Sequence, residues 1–283
     1  MAVSTYRGDI TLPPEVSAEI MQKMQLESAV MTLAQQIELP GRGATINVIT
    51  GDPSAAWVGE TDAKPVSNPT LDTKVMQAYK LAVIVPFSNE FRRDVAALYD
   101  AIVARLPRAL ARKFDETVLV GTAPGTNFDV FTACTQQSMT TDAYGALVGA
   151  DGDIATNGGI MNGIALSPQG KSVLLSAVDG DQRPLFINNV SENAIPMVLG
   201  SKVQLTRGAY KNGTPKLVGV AGDWSQAMWG SVEGVTIGYS SDATLDDGNG
   251  GTINLFQRNM FAVRAEIEVG FRADTNCFNQ LTV

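Results

Sequence analysis

One run of apolar residues repeats every three or four positions along the middle of the chain. Its members are Phe91, Val95, Leu98, Ile102, Leu106, Leu110, Phe114 and Val118. This spacing predicts an amphipathic helix that begins after Ser88, its N-cap, and continues to Val120. Such a helix is about 50 Å long at about 1.5 Å per residue, whereas a compact chain of 283 residues has a radius of gyration of about 19 Å. We therefore expect one helix to span a flat or elongated subunit, with a kink at Pro107.

Composition removes most catalytic chemistry. The chain contains no histidine, which excludes Ser-His-Asp and Cys-His triads and every histidine-ligated metal site. Cys134 and Cys277 lack CxxC spacing, so we expect two buried thiols and neither a zinc site nor a disulfide. The net charge of -8 and the pI near 4.6 disfavour sequence-specific binding to nucleic acid. Residues 1–30 contain no uninterrupted apolar run, which predicts neither a signal peptide nor a membrane anchor. The sequence assigns no catalytic, metal-binding or cofactor-binding residue.

The N-terminal third carries apolar side chains with little local core around them. Val16, Ile20 and Met24 follow helical spacing, which predicts a helix from about residue 15 to residue 35. Strand-like segments at 45–50 and 73–85 predict a long two-stranded arm over residues 45–86. Because an isolated hairpin is marginal in water, we expect both segments to contact neighbouring subunits. The candidate contact residues are Val16, Ile20, Met24, Trp57, Val58, Glu60, Lys64 and Val83.

The second half of the chain reads as a mixed α/β region followed by β-structure. Helix-like and strand-like segments alternate from about residue 127 to residue 228. Residues 246–251 (DDGNGG) predict a hairpin turn, and the alternation of Phe261, Val263, Ala265, Ile267 and Val269 predicts a strand after it.

Three motifs have both a functional and a structural interpretation. Residues 165–172 (ALSPQGKS) loosely resemble a phosphate-binding loop, but Ala165 replaces the first glycine and Pro168 removes an amide, which favours a Ser-Pro turn before a helix. Acidic clusters at 151–153, 179–181 and 242–249 suggest either calcium or turns, and turns are favoured because none is a complete twelve-residue calcium loop. Arg105, Arg108 and Arg112 predict a solvated helix face or, alternatively, a contact with acidic neighbours or packaged polyanion.

The order of five segments is similar to one known family. The segments are residues 12–16 (LPPEV), 57–70 (WVGETDAKPVSNPT), 80–91 (KLAVIVPFSNEF), 118–121 (VLVG) and 260–271 (MFAVRAEIEVGF). Together they resemble the major capsid proteins of tailed double-stranded-DNA bacteriophages. The resemblance implies an α+β fold with an N-terminal arm and helix (1–44), an extended β-hairpin loop (45–86) and the spine helix of a peripheral domain (87–126). It also implies a mixed α/β axial domain (127–230) and a return to the peripheral domain with C-terminal β-strands (231–283).

The resemblance also implies a function. It predicts a structural protein that self-assembles into the hexamers and pentamers of an icosahedral phage head enclosing the genome. An encapsulin-like nanocompartment shell is an alternative because it shares the fold, and a nucleotide hydrolase using residues 165–172 is the alternative from another class. We expect assembly in the host cytoplasm, no membrane, and non-specific contact with packaged DNA.

Further partners follow from the same family. Portal and decoration proteins are implied. Many members begin with a scaffolding segment that is cleaved after assembly, and because the predicted helix starts almost at Met1, either processing has removed that segment or a separate scaffolding protein is used, which is the favoured alternative. Family members can also crosslink a loop lysine to an asparagine of a neighbour. Lys64 with Asn276 or Asn279 is the counterpart considered, and we expect no crosslink and a single band near 30 kDa.

Overall fold

A computed structural model describes residues 14–41, 43–51, 57–58, 70–90, 95–179, 181–183, 185–186, 197–248 and 250–283. The helices in these ranges are α1 (Pro14–Glu27), α2 (Ala29–Leu33), α3 (Val95–Val120), α4 (Ala143–Thr156) and α5 (Pro168–Ser176). The strands are β1 (Gln35–Glu38), β2 (Ala44–Gly51), β3 (Thr70–Met76), β4 (Tyr79–Ser88), β5 (Thr135–Ser138), β6 (Gly163–Leu166), β7 (Met197–Val198), β8 (Ser201–Leu205), β9 (Leu217–Gly222), β10 (Ala227–Ser231), β11 (Thr236–Ser240), β12 (Thr244–Asp246), β13 (Thr252–Asn254), β14 (Met260–Ala273) and β15 (Phe278–Thr282).

A five-stranded sheet is organised around β14, the longest strand. One edge of β14 pairs antiparallel with β4, and the other edge pairs with β10 and β11, while β1 adds parallel to β10. The strand places alternate residues on opposite faces, so Phe261, Val263, Ala265, Ile267 and Val269 all lie buried, as their alternation predicts. Helix α3 packs over this face and closes the main core.

The second sheet has six strands in the order β5-β15-β9-β6-β8-β7. Helices α4 and α5 pack against it, and the two sheets share an aromatic cluster at their junction. In that cluster Phe131 stacks on Phe278 with ring centroids 4.3 Å apart, and Trp224 meets both rings edge-on. The two sheets therefore pack around a continuous core.

The structure corrects four element boundaries. The predicted N-terminal helix is broken at Ser28. Helix α3 is described from Val95 over 26 residues, about 39 Å at about 1.5 Å per residue, and residues 91–94 of its predicted start lie outside the described residues. The predicted strand at 73–85 is two strands, because β4 leaves the arm to pair with β14. The arm's own ladder thus ends at Met76 and not near residue 86.

The fourth correction concerns the C-terminus. Residues 278–282 were expected among the β-strands that return to the sheet under α3. They form β15 instead, which lies between β5 and β9 in the six-stranded sheet. The sequence gives no sign of this, because a short strand carries no information about which sheet it joins. Pro107 does lie within α3, as predicted.

A search of the described helices finds none with the length and apolarity needed to cross a membrane. Cys134 and Cys277 are free and buried, as predicted. Burial, reinforced by the negative charge of Asp274, raises the pKa of the Cys134 thiol to about 12, so this sulfur stays protonated at neutral pH.

One buried carboxylate joins three separate parts of the chain. Asp115 of α3 accepts hydrogen bonds from the hydroxyls of Ser28 and Thr206, both at 2.6 Å. The amides of Ala29 and Val30 donate to it as well, at 3.0 and 3.3 Å. The carboxylate therefore occupies the N-terminus of α2 and holds the turn after β8 at the same time.

The surroundings of Asp115 act on its pKa in opposite directions. Burial raises the pKa of this carboxyl, and the hydrogen bonds from Ser28, Thr206 and the two amides lower it in part. Gly208 allows the turn to approach, because a Cβ there would lie 2.7 Å from the Cβ of Asp115.

We expect Asp115→Ala to destabilise the subunit strongly. The change leaves four buried donors without their acceptor, which costs about 3 to 5 kcal/mol of unfolding free energy. Asp142→Ala is the matched control, because Asp142 caps α4 by accepting from Gly145 at 2.8 Å but is exposed; its loss should cost about 1 kcal/mol. Denaturant unfolding of both variants measures the difference, and equal losses would contradict the role given to Asp115.

Candidate assembly surfaces

The arm consists of two strands that pair with each other. Strands β2 and β3 are antiparallel, from Ala44 opposite Met76 to Gly51 opposite Thr70. At about 3.4 Å per residue the ladder is about 24 Å long. Neither strand pairs with any other strand that the structure describes, so the arm is a separate two-stranded sheet.

The base of the arm is fixed by a small polar cluster. The guanidinium of Arg272 donates to Asp129 at 2.8 Å, to the side-chain oxygen of Asn127 at 3.0 Å and to the backbone oxygen of Val75 at 2.8 Å. Lys74 donates to the backbone oxygen of Ala273 at 3.0 Å. A side chain of β14 thus donates to the backbone of β3, and a side chain of β3 donates to the backbone of β14. These bonds hold the arm in a defined direction relative to the body.

A glycine and a buried methionine complete this base. Met76 is fully buried. Gly43 has φ +87°, and a Cβ there would lie 2.7 Å from the backbone oxygen of Met76. Only glycine tolerates both the positive φ and this close approach, so the position directly before β2 is restricted to glycine.

The arm carries exposed apolar side chains beyond its last pair. Trp57 is fully exposed and Val58 is 41% exposed. The other two tryptophans, Trp224 and Trp229, are buried. A fully exposed tryptophan is typical of a contact surface. The structure thus leaves Trp57 and Val58 available as contact residues, whereas Glu60 and Lys64 lie outside the described residues.

Two expectations about uncovered apolar faces are wrong. Val83 lies opposite Ala265 in β14 and packs against the main core, so this face has local cover. Ile20 and Met24 are fully buried in the same core, because α1 packs on α3 of its own chain. Neither side chain has surface to offer a neighbour. Val16 lies in α1, but its side chain is outside the described part.

The phosphate-loop motif forms a capped helix start. Ser167 is buried and accepts a hydrogen bond from the amide of Gly170 at 3.0 Å, and Pro168 opens α5. One amide that a phosphate loop would need is therefore used by the cap. Asp223, the acidic residue after the neighbouring strand, accepts from Ile160 and Asn162 at 3.0 and 2.8 Å.

The acidic clusters divide into turns and a helix. Asp179 accepts from the amides of Asp181 and Arg183, and Asp246 from that of Gly248, as expected of turns. Residues 151–153 are not a turn, however, because α4 continues through them with Ile154 buried. Among the described residues no three metal-ligating side chains are grouped as a cation site would require.

The remaining candidates are placed as follows. Arg105, Arg108 and Arg112 are exposed, and Arg108 pairs with Glu27 at 3.0 Å. Asn279 is buried and donates to Asp153 at 2.7 Å, which makes it a structural residue of the six-stranded sheet. The backbone N–H of Asn276 donates to the side-chain carboxylate of Asp274.

The contacts of Arg272 and Asp115 could not be predicted from local sequence patterns. Arg272 follows the same outward alternation as Arg264 and Glu266, so its position predicts only an exposed charge. Asp115 reads as an ordinary acid in a charged helix. The partners of both residues lie in segments more than 80 residues away in the chain, and local spacing carries no information about such distant contacts.

Comparison with known proteins gives a consistent result. A sequence model of the phage capsid family matches residues 8–275. The chain is 30% identical to the probable major capsid protein of Mycobacterium phage L5, over 96% of this chain and 89% of that protein. It is 24% identical to the major capsid protein of Staphylococcus phage 80alpha, over 97% and 86%. A solved chain of Microbacterium phage Oxtober96 superposes with a TM-score of 0.71 at 21% identity, covering 90% of this chain and 91% of that one.

We expect Ile20→Asp to unfold the subunit, because a charge would enter the core without a partner; the loss should exceed about 3 kcal/mol. Leu26→Asp is the control on the same helix, since Leu26 is 81% exposed. Its unfolding free energy should change by less than about 0.5 kcal/mol. Thermal unfolding of the two variants checks this, and an unchanged Ile20→Asp midpoint would mean that α1 does not belong to the core.

Arg272→Lys should loosen the base of the arm. Lysine keeps the charge but loses the planar fork that reaches Asp129, Asn127 and Val75 together. Amide hydrogen exchange in β3 should then accelerate about tenfold, the equivalent of about 1.4 kcal/mol. Arg264→Lys is the control in the same strand, because Arg264 makes one exposed pair with Glu266 at 3.1 Å. Equal exchange in both variants would remove the cluster as an anchor.

Proposed function

The chain belongs to the phage capsid family, and from that membership we propose that it is the major capsid protein of a tailed double-stranded-DNA bacteriophage. In this role it is a structural subunit of the virion capsid that assembles with copies of itself. The single observation that carries the proposal beyond the family is the arm, a 24 Å ladder (about 3.4 Å per residue) with a fully exposed tryptophan beyond it.

The subunit divides into a closed body and a projecting arm. The five-stranded sheet with α3 corresponds to the peripheral domain of the family, and the six-stranded sheet with α4 and α5 to the axial domain. The body buries Trp224 and Trp229. An arm that is fixed at its base and has the exposed Trp57 and Val58 beyond its ladder is suited to reach an adjacent subunit, where Trp57 would be buried.

The energetic weight of this contact supports the arm as an assembly element. A tryptophan buries about 150 to 250 Å², which at about 25 cal/mol per Å² gives about 4 to 6 kcal/mol before ordering costs. A surface ion pair contributes about 0 to 1 kcal/mol. Repeated around a hexamer or pentamer, the apolar contact dominates, and we propose that it governs shell formation.

We propose no catalytic role for the chain. The amide of Gly170 and the carboxylate of Asp223, which a nucleotide site would use, are occupied in capping the polypeptide. We further propose assembly in the host cytoplasm with a separate scaffolding protein and a portal, and non-specific contact with packaged DNA. These partners follow from the role of a phage head and not from any surface feature described above.

Negative-stain microscopy of purified particles tests the function, and closed shells of uniform diameter are the expected result. Trp57→Ser should lower the assembled fraction at least tenfold while leaving the subunit folded, because the side chain is fully exposed in the single subunit. Lys171→Ala is the control and should assemble normally. Shells formed equally by Trp57→Ser would contradict the arm's role, and ATP turnover lost in Lys171→Ala would contradict the proposal of no catalysis.

Hydrogen exchange gives an independent readout of the same contact. Residues 44–51 and 70–76 should exchange fast in free subunits and slowly in shells, because neighbouring protein covers them only after assembly. The core strand β14 should be equally protected in both. Equal protection of the arm in the two states would show that it meets no neighbour.

A further inference from the structure

A groove of about 530 Å³ lies where the end of α1, the middle of α3 and the turn after β8 meet. Glu27, Arg108, Arg112, Leu205 and Arg207 line it. Its walls are fixed from below, because Asp115 bonds to Ser28 next to Glu27 and to Thr206 next to Arg207. The groove is therefore preformed, and a ligand entering it would not need to order its walls.

The groove carries positive charge without a matching partner. Arg108 pairs with Glu27 at 3.0 Å. Arg112 and Arg207 are both exposed, and within the described part of the chain neither has a carboxylate inside salt-bridge distance. This is notable in a chain with 29 acidic and 21 basic residues. Two guanidinium groups that line one groove, neither paired with a carboxylate of the described residues, favour an anionic ligand.

The rest of the lining favours a protein ligand over a nucleic-acid backbone. Leu205 is 47% exposed at the rim, and Leu26 is 81% exposed beside Glu27 on the adjoining α1. Phosphates gain nothing from exposed leucines. A segment that combines carboxylates with an apolar side chain matches all of these features.

The same chain presents a segment of that kind. The β12–β13 hairpin carries Asp242, Asp246 and Asp247 and has no basic residue from position 242 to position 257. Its tip is a tight turn in which Gly248 and Gly250 have positive φ. Leu255, whose amide donates to the backbone oxygen of Ala243 at 3.1 Å, is fully buried, while Phe256 next to it is 78% exposed. The hairpin is thus an acidic two-stranded element with one exposed aromatic ring.

We propose that the acidic hairpin of one copy docks in the arginine groove of the next copy. Asp246 and Asp247 would approach Arg112 and Arg207, and Phe256 would cover the exposed leucine at the rim. The contact joins two different surfaces of the chain, which is the head-to-tail arrangement that generates rings when the rotation closes. The inference rests on the proposed function, since it names a contact within the shell.

Charge reversal tests the pairing. The groove variant Arg112→Glu/Arg207→Glu and the hairpin variant Asp246→Lys/Asp247→Lys should each lower the assembled fraction about tenfold or more, because like charges would then face each other. The four-fold variant should recover to within about twofold of wild type. Arg105→Glu, an exposed arginine of α3 outside the groove, is the control and should assemble normally.

A second hairpin variant separates docking from folding. Asp246→Asn/Asp247→Asn removes the charges but keeps the side-chain oxygens that accept from Gly248 and Gly251. It should also lower assembly, with an unchanged unfolding midpoint of the free subunit. Normal assembly of this variant and of the groove variant would overturn the inference.

Three other outcomes would also overturn it. Rescue of the groove variant by Glu60→Lys/Asp62→Lys in place of the hairpin change would make the arm the occupant. Normal shells with reduced DNA retention would assign the groove to the packaged polyanion. No rescue by either reversal would assign it to a separate protein. If wild-type protein forms no shells at all, the proposed function fails; if wild type and the groove variant both form them, only this inference fails.

Discussion

The Asp115 carboxylate is the contact on which the arrangement of this subunit depends. It is one buried side chain with four donors from two distant segments, and those donors fix where α1 turns into α2 and where the chain leaves β8. A buried carboxylate is stable only when its hydrogen bonds are complete. The long helix is therefore more than a support for the core: it sets the relation between the N-terminal helices and the six-stranded sheet, and it shapes the groove between them.

Because the body is closed in this way, the apolar side chains divide into those buried in the subunit and those left exposed. Ile20, Met24 and Val83 contribute to the core of a single chain, so they stabilise the subunit and not the assembly. Trp57 stands outside that core on an arm whose base is held by Arg272. The division assigns stability to the body and assembly to projecting elements. A shell protein needs both, because its subunits must fold before they meet and must then present fixed contacts.

The arm and the groove would serve different needs of assembly. The arm is long and has an exposed tryptophan beyond its ladder, which suits reach and affinity. The arginine groove and the acidic hairpin are short and charged, which suits register and orientation. A ring of identical subunits requires both properties, since an apolar contact alone is non-directional.

The sequence by itself determined the long helix, the buried alternation of β14, the hairpin turn and the family, because each of these is written in local spacing or segment order. It also indicated that Trp57 would be exposed on the arm. It failed where the deciding contact joins distant segments. The strand β4 reads like part of the arm but pairs with β14, β15 joins a sheet begun 140 residues earlier at β5, and the apolar stripe of α1 is covered by its own α3. Only the tertiary structure decided these, because an apolar face in a sequence shows that something will cover it but not whether the cover comes from the same chain.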